Sequence, residues 1–150
     1  MSPPPTKEKF DAYLKAFNTH NASDYGQYYA VDFHVHLPGV PPTKSRAETV
    51  ALFETGLSFC RETLHPTWLQ FTERSVAMEA CVRTEALVEI DFPFPFTGKT
   101  YKKGEKFTYP IIVHYEYNDD LFITTFRSFS EVLNPDPGYG IAKEVLPGYD

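Results

Sequence analysis

Apolar residues recur at helical spacing through the first part of this chain and at every second position through most of the rest. Phe10, Tyr13, Leu14 and Phe17 make one stripe, which predicts a helix begun at Thr6 as N-cap and ended between Asn18 and Asn21. Asp24 can start a short second helix carrying Tyr25, Tyr28 and Tyr29. Phe33–Leu37 reads as a strand, and the Pro- and Gly-rich residues 38–42 as a turn. Ser45 and Glu48 form a capping-box pair for a third helix, whose stripe is Val50, Phe53, Leu57, Cys60 and Leu64.

The remainder predicts strands. Trp68–Thr72 is short. Val76–Ile90 alternates over its length: Val76, Met78, Ala80, Val82, Ala86, Val88 and Ile90 make a nearly apolar face, against Glu79, Arg83, Glu85, Glu89 and Asp91 on the other. Lys106–Tyr117 alternates too, with Phe107, Tyr109, Ile111, Val113, Tyr115 and Tyr117 on one face and His114 and Glu116 on the other. Asn118-Asp119-Asp120 is a turn, and Leu121–Phe129 the last strand. Period-two alternation predicts an antiparallel sheet with one buried face. Helices first and strands later make the fold class α+β. Residues 1–5 read as a disordered Pro-rich tail, 6–133 as one domain, and 134–150 as an irregular tail packing on the domain or on a partner subunit.

Composition adds bulk and sign to this picture. Aromatic residues are 16% of the chain, so large rings must fill a core, line a cavity or form an interface. A net charge of -6 argues against nucleic acid and anionic membrane surfaces as partners. No apolar run approaches a membrane span and no signal-peptide pattern is visible, so a cytoplasmic location is expected. Cys60 and Cys81 are expected as buried free thiols rather than a disulfide framework.

The densest local signal is Asp32-Phe33-His34-Val35-His36-Leu37-Pro38-Gly39, because two histidines two apart on a strand share a face. Tyr28 through Gly39 resembles the entry into the first strand of the SnoaL-like branch of the nuclear transport factor 2-like superfamily, written F-x-x-D-V-x-x-H-x-P. Lys44-Ser45-Arg46-Ala47-Glu48 through Phe53 resembles that branch's G-R-x-x-I-x-x-F helix start, with Ser45 where Gly is usual. Val76-Ala77-Met78-Glu79 resembles its V-A-V-E strand, and Ile123 through Glu131 its closing I-x-E-x-R-x-Y-x-D. The resemblance covers residues 6–131. It implies a cone: a curved antiparallel sheet wrapped around N-terminal helices, with an internal pocket. It also implies no cofactor and a homodimer formed through the outer, polar sheet face.

In that frame the expected site is the pocket. By resemblance to the family's epoxide hydrolases, His34 and His36 stand where a Tyr and an Asn hold a water, which would turn both imidazoles inward as general acid or base. His114 and Tyr28 would assist. Tyr25, Phe53, Trp68, Met78, Phe94 and Phe126 would bind the substrate. Two departures count against epoxide hydrolysis. Arg83-Thr84-Glu85 looks like that family's Arg-x-Asp, yet the alternation puts it on the polar face, and the last-strand Asp aligns with Ser128. His-x-His can also chelate a metal, but the following Gly39 and Val40 lack the cupin-type Glu, so no metal is expected. Whether His114 and Glu116 or the aromatic row opposite them faces inward stays open, with the aromatic row the more natural interior. Asp91-Phe92-Pro93-Phe94-Pro95-Phe96-Thr97-Gly98 cannot be a regular inner strand; it reads as an aromatic flap at the mouth or as a bend packed on a partner or the C-terminal tail.

The expected function is proton transfer, by cyclisation, isomerisation or dehydration, on a small hydrophobic oxygenated metabolite such as a polyketide or terpenoid intermediate. The alternative is a non-catalytic module of the same fold that binds a small ligand or a protein, including one whose cone is filled by its own Phe and Tyr.

Overall fold

The computed structural model describes residues 4–37, 40–129 and 144–150. Helix α1 (Pro5–Phe17) buries Thr6, Phe10, Tyr13, Leu14 and Phe17 along one face. Pro5 takes the first helical position, where its missing N–H costs nothing. Thr6 is therefore not the N-cap: it lies inside the first turn, and its hydroxyl donates to the Thr72 carbonyl at 2.5 Å. Of the expected disordered tail, Pro4 and Pro5 form the helix start, and 1–3 lie outside the described residues.

Asn21 caps helix α2 (Ala22–Tyr25), accepting from the Ser23 N–H, and a single 3-10 turn (Gly26–Tyr28) leads into strand β1 (Tyr29–His36). Helix α3 (Arg46–Phe59) starts as the sequence predicts, with the Ser45 hydroxyl accepting from the Glu48 N–H. Its end differs. Cys60 and Leu64 are not on the helix but on strand β2 (Cys60–Phe71), several residues longer at its start than expected. A helical stripe and a strand face can share residues four apart, so the pattern alone did not separate them.

Strands β3 (Ser75–Ala86), β4 (Lys106–Tyr117) and β5 (Ile123–Phe129) complete one curved sheet in the order β1-β5-β4-β3-β2. β2, β3, β4 and β5 pair antiparallel, but β1 lies parallel to β5, so the sheet is mixed. No helix of the described residues is long and apolar enough to cross a membrane.

Register sorts the sheet into two faces. Val76, Met78, Ala80 and Val82 of β3 stand beside Tyr115, Val113, Ile111 and Tyr109 of β4, all buried on the inner face. The aromatic row of β4 is thus the interior. Phe10 meets Tyr115 and Phe71 edge-on at 5.2 and 5.9 Å between centroids, and Tyr13 meets Tyr115 at 5.8 Å. Tyr29 stacks on Phe33 at 4.1 Å. Such contacts add about 0.5–1.5 kcal/mol per pair beyond the area they bury.

β2 is an edge strand, and its open backbone is covered. Asn18, which ends α1, donates to the Leu64 carbonyl at 3.0 Å and accepts from the Leu64 N–H at 2.8 Å. His20, in the left-handed region at φ 65°, donates through Nε2 to the Glu62 carbonyl. Further along, the Leu146 N–H donates to the Pro66 carbonyl. Covering an edge this way removes a template for aggregation and fixes where β2 lies relative to α1.

Candidate functional site

The histidines do not face the cone. Phe33 and Val35 are buried on the inner side of β1, so His34 and His36, in alternate positions, lie on the outer face. Their rings meet edge-on at 5.4 Å. His34 Nδ1 donates to the Asp32 carbonyl at 3.3 Å, and Nε2 lies 3.4 Å from the Thr125 hydroxyl. His114 is outside as well, with Nδ1 3.9 Å from Glu116. Arg127 stands between His36 and His114 in register. The expected inward placement of His34 and His36 is therefore corrected: β1 joins the sheet with Phe33 and Val35 as its core residues, and period two sends the imidazoles the other way. Of the two faces left open for β4, the one carrying His114 is the outer, so His114 does not assist in the interior.

The expected substrate-lining residues divide. Tyr25, Met78, Phe94 and Phe126 are buried, and Phe53 is half-buried against Phe17, Tyr25, Tyr29 and Phe126. Tyr28 packs half-buried on Tyr13 at 6.0 Å and is not beside His114. Trp68 pairs with Glu79 on the outer face and is 44% exposed, so it lines no interior. Arg83 and Glu85 also lie outside, where Arg83 forms a 2.7 Å ion pair with Asp150.

The middle of the cone is filled rather than open. Phe10, Tyr13, Tyr25, Tyr29, Phe33, Met78 and Tyr115 are all fully buried there. The Tyr13 and Tyr29 hydroxyls lie 2.8 Å apart, and burial drives both phenols well above their ordinary pKa. These groups stay neutral at any working pH.

The chemically distinct group is Glu62. Its position in β2, opposite Thr84 of β3, places it on the inner face between Cys60 and Leu64. The Tyr109 hydroxyl donates to its Oε1 at 2.9 Å. Burial pushes the Glu62 carboxyl up to about 7, and the Tyr109 hydrogen bond only partly offsets this. Burial also lifts Tyr109 well above 10, and the neighbouring Glu62 charge adds to it. Cys60 rises to about 11 for the same two reasons, which leaves its thiol protonated and inert as a nucleophile.

Over this end of the sheet folds the segment between β3 and β4. Ile90 and Tyr101 form an isolated antiparallel bridge at its base. Phe96 stacks on Tyr109 at 5.1 Å with a 3° interplanar angle, and Tyr101 stacks on Phe107 at 3.6 Å. Phe94 wedges among Phe96, Tyr101, Phe107 and Tyr109. The Phe-Pro segment is thus a flap laid on its own strand. Two surface clefts, one of about 290 Å3 at the base of the flap beside Ile90 and Tyr101 and one of about 340 Å3 between Gly26 and Val50, are lined by neither Glu62 nor Tyr109.

Sequence reasoning missed Glu62 because Cys60 and Leu64 fell into the third helix's stripe. The available signal was a glutamate inside an otherwise apolar alternation, Cys60, Glu62, Leu64.

Comparison with known proteins agrees with this architecture. The SnoaL-like domain family matches residues 10–124. The chain belongs to that family. A polyketide cyclase-like protein of Xanthomonas campestris pv. campestris superposes with a TM-score of 0.72 at 18% identity, covering 85% of this chain and 90% of that one. SalBIII, an epoxide hydrolase/cyclase-like enzyme with a role in pyran ring formation in the polyether salinomycin, gives 0.65 at 14% identity, covering 83% and 89%. An epoxide hydrolase of M. tuberculosis gives 0.64 at 12%, covering 85% and 83%. At these identities the likeness is one of fold. Among proteins of curated function, no sequence matches significantly.

Proposed function

We propose that this SnoaL-like protein is a cofactor-independent enzyme that moves a proton on a small hydrophobic, oxygenated molecule, with Glu62 as the acid–base group. The observation that carries this reading is the Glu62 carboxyl, held on the apolar inner face by Tyr109 and lifted to about 7. A carboxyl titrating near neutrality has both its forms present at working pH, which is the condition for general acid–base catalysis. Its carboxylate would take a proton from carbon beside a carbonyl and return that proton to another atom of the same molecule. No bond order is lost or gained overall, so isomerisation or ring closure fits without redox. The desolvation that lifts the carboxyl also strengthens its carboxylate as a base.

The cyclase and epoxide hydrolase names among similar folds support an enzyme in general and do not select the reaction. The test is hydrogen–deuterium exchange. A panel of hydrophobic ketones in D2O, followed by mass spectrometry, should show exchange at carbon with the native protein. E62Q should slow it about 100- to 10,000-fold. Exchange that is equal in E62Q sinks the assignment.

The packed interior favours a second reading, a non-catalytic module whose cone is filled by its own rings. Under it, no compound of the panel would exchange, and heat stability would not respond to any of them. We also propose a homodimer through the outer sheet face, supported by the exposed Trp68, Ile112 and Phe129, which lie in one row across the sheet with Glu79 of β3 between Trp68 and Ile112.

A further inference from the structure

Nothing in the Glu62–Tyr109 pair itself explains how Tyr109 is kept in place. Tyr109 stands opposite Val82 of β3 on the inner face of β4. The flap packs on its ring. Phe96 lies parallel to the Tyr109 ring, 5.1 Å away, and Phe94 leans on the same ring at 5.6 Å.

The flap is built to hold that position. The Phe94 N–H donates to the Lys99 carbonyl at 2.9 Å, and the Thr97 and Gly98 N–H groups both return to the Phe94 carbonyl. Gly98 sits at φ 70°, where a side chain is strained. The Tyr101 hydroxyl donates to Thr97 Oγ1 at 2.7 Å. Pro93 and Pro95 bracket Phe94 and restrict the backbone before Phe96.

We infer that Phe96 is a positioning residue for the acid–base site: its ring fixes the plane of Tyr109 and so aims the phenol at Glu62. The inference rests on the reading of Glu62 as the acid–base group. It assigns a function to the Phe-Pro segment, which is otherwise only a packed bend. Losing the stack frees the Tyr109 ring to tilt, and a 2.9 Å hydrogen bond at the end of a long side chain is sensitive to a small tilt.

The experiment is the titration of the Glu62 carboxyl carbon by 13C NMR in the native protein, Y109F, F96A, F96L and F96Y. F96L keeps bulk but has no ring face, and F96Y keeps the ring. Thermal unfolding and the amide spectrum check that each variant is folded. Y109F should raise the midpoint by about 1 pH unit, since it removes a donor to the charged form. F96A and F96L should raise it in the same direction by less, and F96Y should restore the native value. If Y109F moves the midpoint and folded F96A and F96L do not, Phe96 is not a positioning residue. If the native carboxyl titrates near 4.5, the reading of Glu62 fails first, and the inference falls with it.

Discussion

Glu62 and Thr84 face each other across β2 and β3 on the inner side of the sheet, one a carboxyl and the other a buried hydroxyl. The pair is the polar break in an inner face otherwise made of Leu64, Val82, Ala80 and Met78. A carboxyl there gives up hydration it would keep on the outer face, and the chain bears that cost at one position of β2.

The cost has a sign in pH. Glu62 titrates near 4.5 when unfolded and at about 7 when folded. Because the folded pKa is the higher, the native state holds the proton more tightly. Stability is therefore fully present below about 4.5, falls as pH rises through 7, and is level above. E62Q removes the ionisation. It should be more stable than the native chain at pH 8 by up to about 3 kcal/mol, with the difference vanishing near pH 4. Urea unfolding at the two pH values measures this. Equal stability at pH 8 would mean that Glu62 is solvated.

Asn18 should matter more than its half-buried place at the end of α1 suggests. It meets both the N–H and the carbonyl of Leu64, two residues from Glu62. N18A removes both bonds and opens the edge of β2. We expect a loss of about 1–3 kcal/mol, together with faster amide exchange at Leu64 than elsewhere in β2. An unchanged midpoint in urea would show that the Asn18 clamp adds nothing.

Much of this fold was legible because alternation is strict where the sheet has one dry side. The alternation puts β4 at Lys106–Tyr117, where the structure has it; which of its faces turns inward stays open in the sequence, and the structure buries the aromatic row, the more natural interior. The departure of Arg83 and Glu85 from an inward register was likewise visible in the alternation. The site was not legible, for a physical reason. The α3–β2 junction has no Pro or Gly to mark it, since helix passes into strand directly at Cys60. The direction of His34 and His36 was carried by their alternation with Phe33 and Val35, and the resemblance to the epoxide hydrolase pattern turned the expectation inward against it. What the sequence leads one to expect of 130–143 and of Pro38 and Gly39 lies outside the described residues.

The outward histidines give a clean control. H34Q with H36Q removes two groups that touch only Asp32, Thr125 and each other among the described contacts. Stability should change by no more than about 0.5 kcal/mol, and the Glu62 titration should be untouched. If the double variant shifts the carbon signal of Glu62, the outer face is coupled to the inner one through the sheet.

The outer face also carries the oligomer prediction. Trp68, Ile112 and Phe129 are 44%, 42% and 58% exposed, with the Glu79 backbone between Trp68 and Ile112 in register. A row of large apolar groups across a sheet is costly to leave in water, and a second copy would cover it twice over about a two-fold axis. W68E would place a carboxylate within this apolar row and bury it on association. An unpaired buried charge costs about 3–5 kcal/mol, so dimer affinity should fall by about a hundredfold or more. Light scattering at micromolar concentration reads the mass directly: a native dimer and a W68E monomer support the face, and a native monomer removes it. The Glu62 midpoint should stay in place in W68E, since the two groups are on opposite sides of the sheet. A midpoint that moves with the oligomeric state would instead tie the acid–base group to assembly.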